Sequence, residues 1–300
     1  MKNTKTSLSL LRMAVVAMLS VAMVSCGGEA KKAEDTAGEL DKAKSDVAQQ
    51  VEKVIAELPP PSELPYQLEA TGAEFDESLP NSLDKADNYL TSDYASALNL
   101  GIYAADIGYL ASYEEVQPAL NYMQAARALA SNLNLTSILD EALISRFEAN
   151  LGSKDSLAAI VNEVIQDADE ALKRSQREKT AALMLAGTFI EGLYLSTAII
   201  ENFPKDMLPE QARQSLLVPV VKIVVDEEKT LGDLIVLLDT YKDDEQVASL
   251  IGQLKELQAA YTSLHVQEQI QNDRGDLLLK DTTLDQITNK TGEIRDAITG

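Results

Sequence analysis

Apolar side chains recur along most of this chain with the three-to-four-residue spacing of one helix face, and almost no stretch alternates with the period of two that strands require. Stop signals divide the pattern into segments. Residues 94–112 are apolar on most faces, so the helix predicted there belongs to a core. Residues 114–132 read as an amphipathic helix with Ala119, Met123, Ala126 and Leu129 on one face, broken at Asn132-Leu133-Asn134. A helix over 137–151 stops before Gly152, which reads as its C-terminal cap, and Ser153 opens the next, running to Arg177. A second apolar helix spans 179–202 and ends at Asn202-Phe203-Pro204. Helices over 208–227, 229–241, 244–272 and 283–298 complete the chain. Residues 62–82, with Pro65, Gly72 and Pro80, read as irregular. The connections are short, so consecutive helices are expected to pack as antiparallel neighbours, giving an all-α bundle or array over residues 66–300.

Two stretches before residue 62 read differently. Residues 1–25 carry Lys2, Lys5 and Arg12, no acid, and a nearly continuous apolar run from Met13 to Val24. A basic start, about a dozen apolar residues and small residues before a cleavage point describe an export signal. The run is short of the roughly 20 residues that cross a bilayer, and no later segment reaches that length without interruption. Residues 29–58 are charged and Ala-rich, with Leu40, Val47, Val51, Val54 and Leu58 in a narrow stripe at helical spacing. Pro59-Pro60-Pro61 ends any helix there and stiffens the next few residues. Two readings stand for residues 26–65: a tether that lifts the body off a surface, or a helix whose stripe packs on the body.

The only cysteine, Cys26, sits between the apolar run and Gly27-Gly28. It has no partner for a disulfide, and the edge of an export signal is not a core. Met23-Val24-Ser25-Cys26 resembles the lipobox of bacterial lipoproteins at its small residue and its cysteine, and departs from it at Met23, where Leu is usual. That resemblance implies lipidation (palmitate among the acyl groups) of Cys26 as the first residue of the mature chain. Several acyl chains hold far more firmly than one. The outer membrane is the default location.

The net charge of -22 becomes -25 once the three positive charges of the first 25 residues are removed. That acidity argues against nucleic acid, which needs clustered Lys and Arg, and against lying flat on an anionic leaflet. With 45% apolar residues, no tryptophan and abundant Ala and Leu, the composition is that of a large helical core.

The two apolar helices read alike. Leu100–Leu110, LGIYAADIGYL, aligns with Leu185–Leu195, LAGTFIEGLYL, and an acid, a tyrosine and the leucines recur at an offset of 85. A looser echo comes after, in Ala126-Arg127 against Ala212-Arg213 and in SKDSLAAIV against KDDEQVASLI. This predicts an internal duplication, residues 94–177 and 179–265, each a four-helix unit. The segments LNLGIYAADIGYL, RFEANLGSKDSL, LAGTFIEGLYL and TYKDDEQVASLI also resemble a set of lipoproteins from Bacteroidetes-type bacteria, over roughly residues 66–264. The resemblance implies an exported, anchored, helical protein and carries no catalytic residue, since that set has no established activity.

The candidate polar or ligand site is Asp106 and Glu191, the acids at matching positions of the two apolar helices, with Tyr109 and Tyr194. An ionised carboxylate among Ile102, Ala105, Ile190 and Ala186 is costly unless paired or hydrogen-bonded. Packed face to face, the two acids share a proton, a cation or a ligand. Packed apart, each takes hydrogen bonds from a tyrosine, an arginine or a helix end. Gly101, Gly108, Gly187 and Gly192, each costly in a helix interior, favour close helix approach. One histidine, His265, excludes a multi-imidazole metal site, and neither a nucleophile elbow nor a phosphate loop occurs. The acid runs at 226–228 and 242–245 read as solvated surface, with loose calcium binding the alternative, and the DRGD at 273–276 reads as a turn without adhesive meaning. The expectation is a non-enzymatic binding or scaffold protein of the cell envelope. The alternatives are small-ligand or cation binding between helices, or a carboxylate-based enzyme acting on envelope sugars. No cofactor and no metal are expected. The expected partners are a membrane through the lipid on Cys26 and an envelope protein or small ligand, with no nucleic acid.

Overall fold

A computed structural model describes residues 63–150, 152–203, 209–263 and 282–300. The signal, Cys26, the 29–58 stripe, the triple proline, His265 and DRGD lie outside the described residues. The described residues form an all-α array: nine α-helices, one 3-10 helix and no strand. They are α1 (Glu63–Ala70), the 3-10 helix Leu83–Thr91, α2 (Asp93–Ser112), α3 (Val116–Asn132) and α4 (Glu141–Ala149). After these come α5 (Lys154–Arg174), α6 (Glu178–Asn202), α7 (Glu210–Asp239), α8 (Glu245–Ser263) and α9 (Thr282–Thr299).

The apolar helices α2 and α6 cross at the centre, each nearly buried along its length. By length and composition α6 would span a bilayer, but 83% of its apolar 18-residue window is buried inside the body. The other helices cover this pair: α3 packs on α2, α7 on α6, and both α5 and α9 touch each central helix. The amphipathic reading of α3 holds, with Ala119, Met123, Ala126 and Leu129 all buried.

Glycine permits the central crossing. A Cβ on Gly101 would stand 2.0 Å from Met184 O, and one on Gly187 would stand 1.9 Å from Leu98 O. The contact is reciprocal, since each helix offers a glycine to the other's backbone carbonyl. The Thr188 hydroxyl donates to Gly101 O at 3.1 Å across the same crossing. Gly192 makes room for Leu64 of α1.

Three boundaries differ from the sequence reading. Residues 62–82 are not wholly irregular, because Leu64 and Leu68 form a buried i, i+4 pair on α1. Pro65 falls in the first turn of α1, where its missing N–H costs little. The helices expected over 208–227 and 229–241 are one helix, α7, with Pro219 inside it. Glu228 and Lys229 are ordinary helix formers, and Val224, Leu231, Leu234 and Leu238 carry one buried face through the expected break. Gly152 is not a left-handed cap, as α4 already stops at Ala149 with Asn150 closing on Phe147 O. The non-glycine left-handed residues among those described are Glu114 (φ 62°), Asn134 (φ 56°) and Gln176 (φ 57°), just past α2, α3 and α5. The next N–H in each case reaches five residues back, as Glu115 does to Leu110 O at 2.8 Å, a Schellman closure made without glycine. Ser153 does open α5, accepting from the Ser156 N–H.

Gly101→Ala or Gly187→Ala is expected to destabilise the body by roughly 2 kcal/mol or more, because a Cβ there meets backbone that cannot step aside. Gly252→Ala in α8, with nothing within 4 Å of its Cβ, is expected to stabilise by about 0.5–1 kcal/mol. Urea unfolding of the three variants checks both signs.

Candidate functional site

One and a half turns beyond Gly101 on α2 stands Asp106, and just over one turn beyond Gly187 on α6 stands Glu191. Both are 0% exposed. The crossing brings their carboxyls into hydrogen-bonding contact, as the face-to-face reading of the sequence required. Arg295 of α9 reaches in to Glu191. Its Nε donates to Glu191 Oε2 at 2.7 Å and an Nη to Oε1 at 2.9 Å, a two-point pair. The second Nη bond of Arg295 goes to Leu79 O at 3.2 Å, and its guanidinium lies 4.0 Å over the Tyr194 ring, a cation–π contact.

Asp106 is held differently. Its Oδ2 accepts from the Asn81 N–H at 3.1 Å, and no N–H or O–H group reaches Oδ1. Two carboxyls attract only when a proton lies between them, and Oδ1 is the atom without another partner. Burial, then the Glu191 charge, push the Asp106 carboxyl well above the usual carboxylate range, against the pull of Arg295. With that proton on Asp106, Glu191 and Arg295 leave the cluster electrically neutral. Burial works against the Arg295 charge, but the two acids raise its pKa beyond the ordinary arginine value.

A loop over residues 73–82 reaches this cluster at Leu79 and Asn81, its two buried residues, and side chains meet its backbone along its length. Tyr113 donates to Ala73 O at 2.9 Å, Tyr109 accepts from the Asp76 N–H at 2.9 Å, Tyr122 donates to Asn81 O at 2.8 Å and Tyr103 to Ser82 O at 3.1 Å. The Asn81 side chain donates to the Tyr89 hydroxyl at 3.0 Å. Burial raises the pKa of each of these tyrosines above the ordinary phenol value. Their hydroxyls secure the backbone of this loop.

Of the four residues singled out in the sequence, Asp106, Glu191 and Tyr194 belong to one cluster. Tyr109 does not join it; its hydroxyl serves Asp76 and its ring packs on Phe75 and Tyr113. Sequence reasoning missed Arg295 and Asn81. A signal for Arg295 was there: Leu284, Ile287, Thr291 and Ile294 set a buried stripe on α9, and Arg295 falls on it. Nothing in the sequence marks the Asn81 backbone.

The acid runs resolve locally. Asp244 caps α8 through the Gln246 and Val247 N–H groups and pairs with Lys179 at 2.7 Å. Asp226 pairs with Lys222. Glu227 is not solvated surface: it is 7% exposed, one carboxylate oxygen lacks a partner, and burial pushes it up to about 7. Among the described residues no group of three or more His, Cys, Asp or Glu is placed to hold a metal ion. Comparison with protein families, curated proteins and solved structures found no match to this chain.

The two acids have opposite expected responses to amide substitution. An amide at position 106 donates to Glu191 and still accepts from Asn81, as the protonated acid does. Asp106→Asn should therefore leave stability at pH 7–8 equal or higher. Glu191→Gln strands a buried guanidinium and should cost about 3–5 kcal/mol. In the native chain, carboxyls with raised pKa contribute stability that is complete below the unfolded value of about 4. As pH rises past about 4 the unfolded state ionises first, so stability falls until the folded pKa is passed. Asp106→Asn should flatten this decline in urea midpoint above about pH 4, and Glu227→Gln should flatten the part ending near pH 7. A loss at position 106 as large as at 191 would refute the shared proton.

Proposed function

We propose that this chain is a lipid-anchored, non-enzymatic binding or scaffold protein of the cell envelope, held to a membrane, by default the outer one, through acylated Cys26. The observation that carries the non-enzymatic reading is the occupancy of the acid pair. The cation between helices that the sequence invited is the protein's own Arg295, which takes both oxygens of Glu191. Asp106 is taken by Asn81 and by Glu191. A glycosidase-like mechanism needs two carboxyls flanking a substrate bond, and these two flank each other under a loop. They support a structural role, fixing the central helices by a neutral, buried polar lock.

The packing also supports two related units, with the second longer than the sequence suggested. In this reading α2, α3 and α5 correspond to α6, α7 and α9, since α5 and α9 each lie against both central helices, a match that sets aside the echo of SKDSLAAIV in α5 with KDDEQVASLI in α8. The surface favours a polar partner over an apolar one, as Val236, at 43% exposed, is the large hydrophobic side chain left outside among the described residues.

Intact-mass analysis of chain recovered from its native envelope is expected to give an acylated Cys26 at the N-terminus, and Cys26→Ala should leave the membrane fraction. Residues 1–25 still attached to an unmodified cysteine would overturn the anchor. Turnover of envelope glycan by the purified chain, lost in Asp106→Asn, would overturn the non-enzymatic reading.

A further inference from the structure

Beside the central crossing lies a void that the polar lock does not use. It lies between α2, α3, α4, α5 and the start of α6, has a volume of about 40 Å³, and is lined wholly by apolar side chains, among them Ala104, Met123, Ala126, Phe147, Ile165 and Met184. Protein interiors are ordinarily packed without such gaps, and this one has room for roughly three water-sized spheres. Water gains nothing there, because no polar atom lines the space, and apolar cavities of this kind stay dry. Both methionines of the described residues line it, and methionine is the apolar side chain that best reshapes to a varying occupant.

One wall of the void is also its weakest. The nine-residue helix α4 is buried only through Leu143 and Phe147, its remaining residues being exposed or half-buried. It is clasped from outside by Arg127 to Glu141 at 3.0 Å and by Arg146 to both oxygens of Glu163 at 2.9 and 2.7 Å. Such exposed pairs hold little. They place two half-exposed guanidiniums next to Ala126 and Phe147, two residues of the lining, on a chain that is otherwise strongly acidic.

We propose that this void is a binding site for the alkyl tail of a single-chain anionic amphiphile. The terminal methyl and first few methylenes enter between Met123 and Met184, α4 shifts outward to admit more of the chain, and the anionic head stays at the surface beside Arg127 and Arg146. This rests on the binding-protein reading of the whole chain and names its ligand class.

The test titrates the full chain, made without acylation as Cys26→Ala, with hexanoate, octanoate and decanoate by calorimetry, while methyl NMR follows Met123 and Met184. Affinity is expected to rise about four-fold per added methylene, and both methionine methyls are expected to shift. Ala126→Phe, which fills the void, is expected to weaken decanoate at least ten-fold. Chain-length-independent binding, unmoved methyls, or a folded Ala126→Phe that binds as well as the parent would overturn the proposal. If Ala126→Phe fails to fold, the methyl shifts decide alone. Failure here with a different ligand or partner recovered on envelope-derived chain removes only the alkyl site, whereas glycan turnover removes the binding reading itself.

Discussion

Two helices that approach until a methyl group no longer fits between them set the terms for the rest of this protein. Because Gly101 and Gly187 offer no side chain, the backbones of α2 and α6 come within reach of each other's carbonyls. A crossing that tight fixes what lies one turn further along. Asp106 and Glu191 then meet, whatever the cost of two acids in an apolar core. Arg295 and a retained proton answer that cost, and the arginine in turn requires α9 to lie against both central helices.

The loop over 73–82 answers to the same constraint. A polar backbone crossing a core needs a partner at each buried group, and here the partners come from helices already committed to the crossing. Tyr103, Tyr109 and Tyr113 lie along or just past α2, and Tyr122 lies on α3, which α2 supports. The aromatic content of this chain is low and mostly tyrosine. That composition suits hydroxyls delivered to main-chain groups from rigid helices more than it suits ring stacking alone.

Much of this was legible from periodicity. The two apolar helices, the buried face of α3 and the Ser153 cap are local properties, and local patterns record them. Asp106 and Glu191 were legible as candidates, but the sequence leaves open whether they meet, because that depends on how the two helices cross. Arg295 was not read, although its stripe was visible, since which stripe faces which acid is decided by packing between distant elements. The break expected inside α7 failed for a related reason: polar residues at 226–229 resemble a helix end locally, while a buried face running past them overrides that resemblance. Asn81 contributes through its backbone N–H, and main-chain groups leave no trace in a sequence.

The lock has a consequence for the order in which the body is made. Ribosomes deliver α2 and α6 well before α9, so through most of synthesis the two acids have no guanidinium to meet. A half-made chain that closed the crossing early would bury a carboxylate without its counter-charge, and that closure is unfavourable. The polar lock is therefore complete only when α9 is present to supply Arg295.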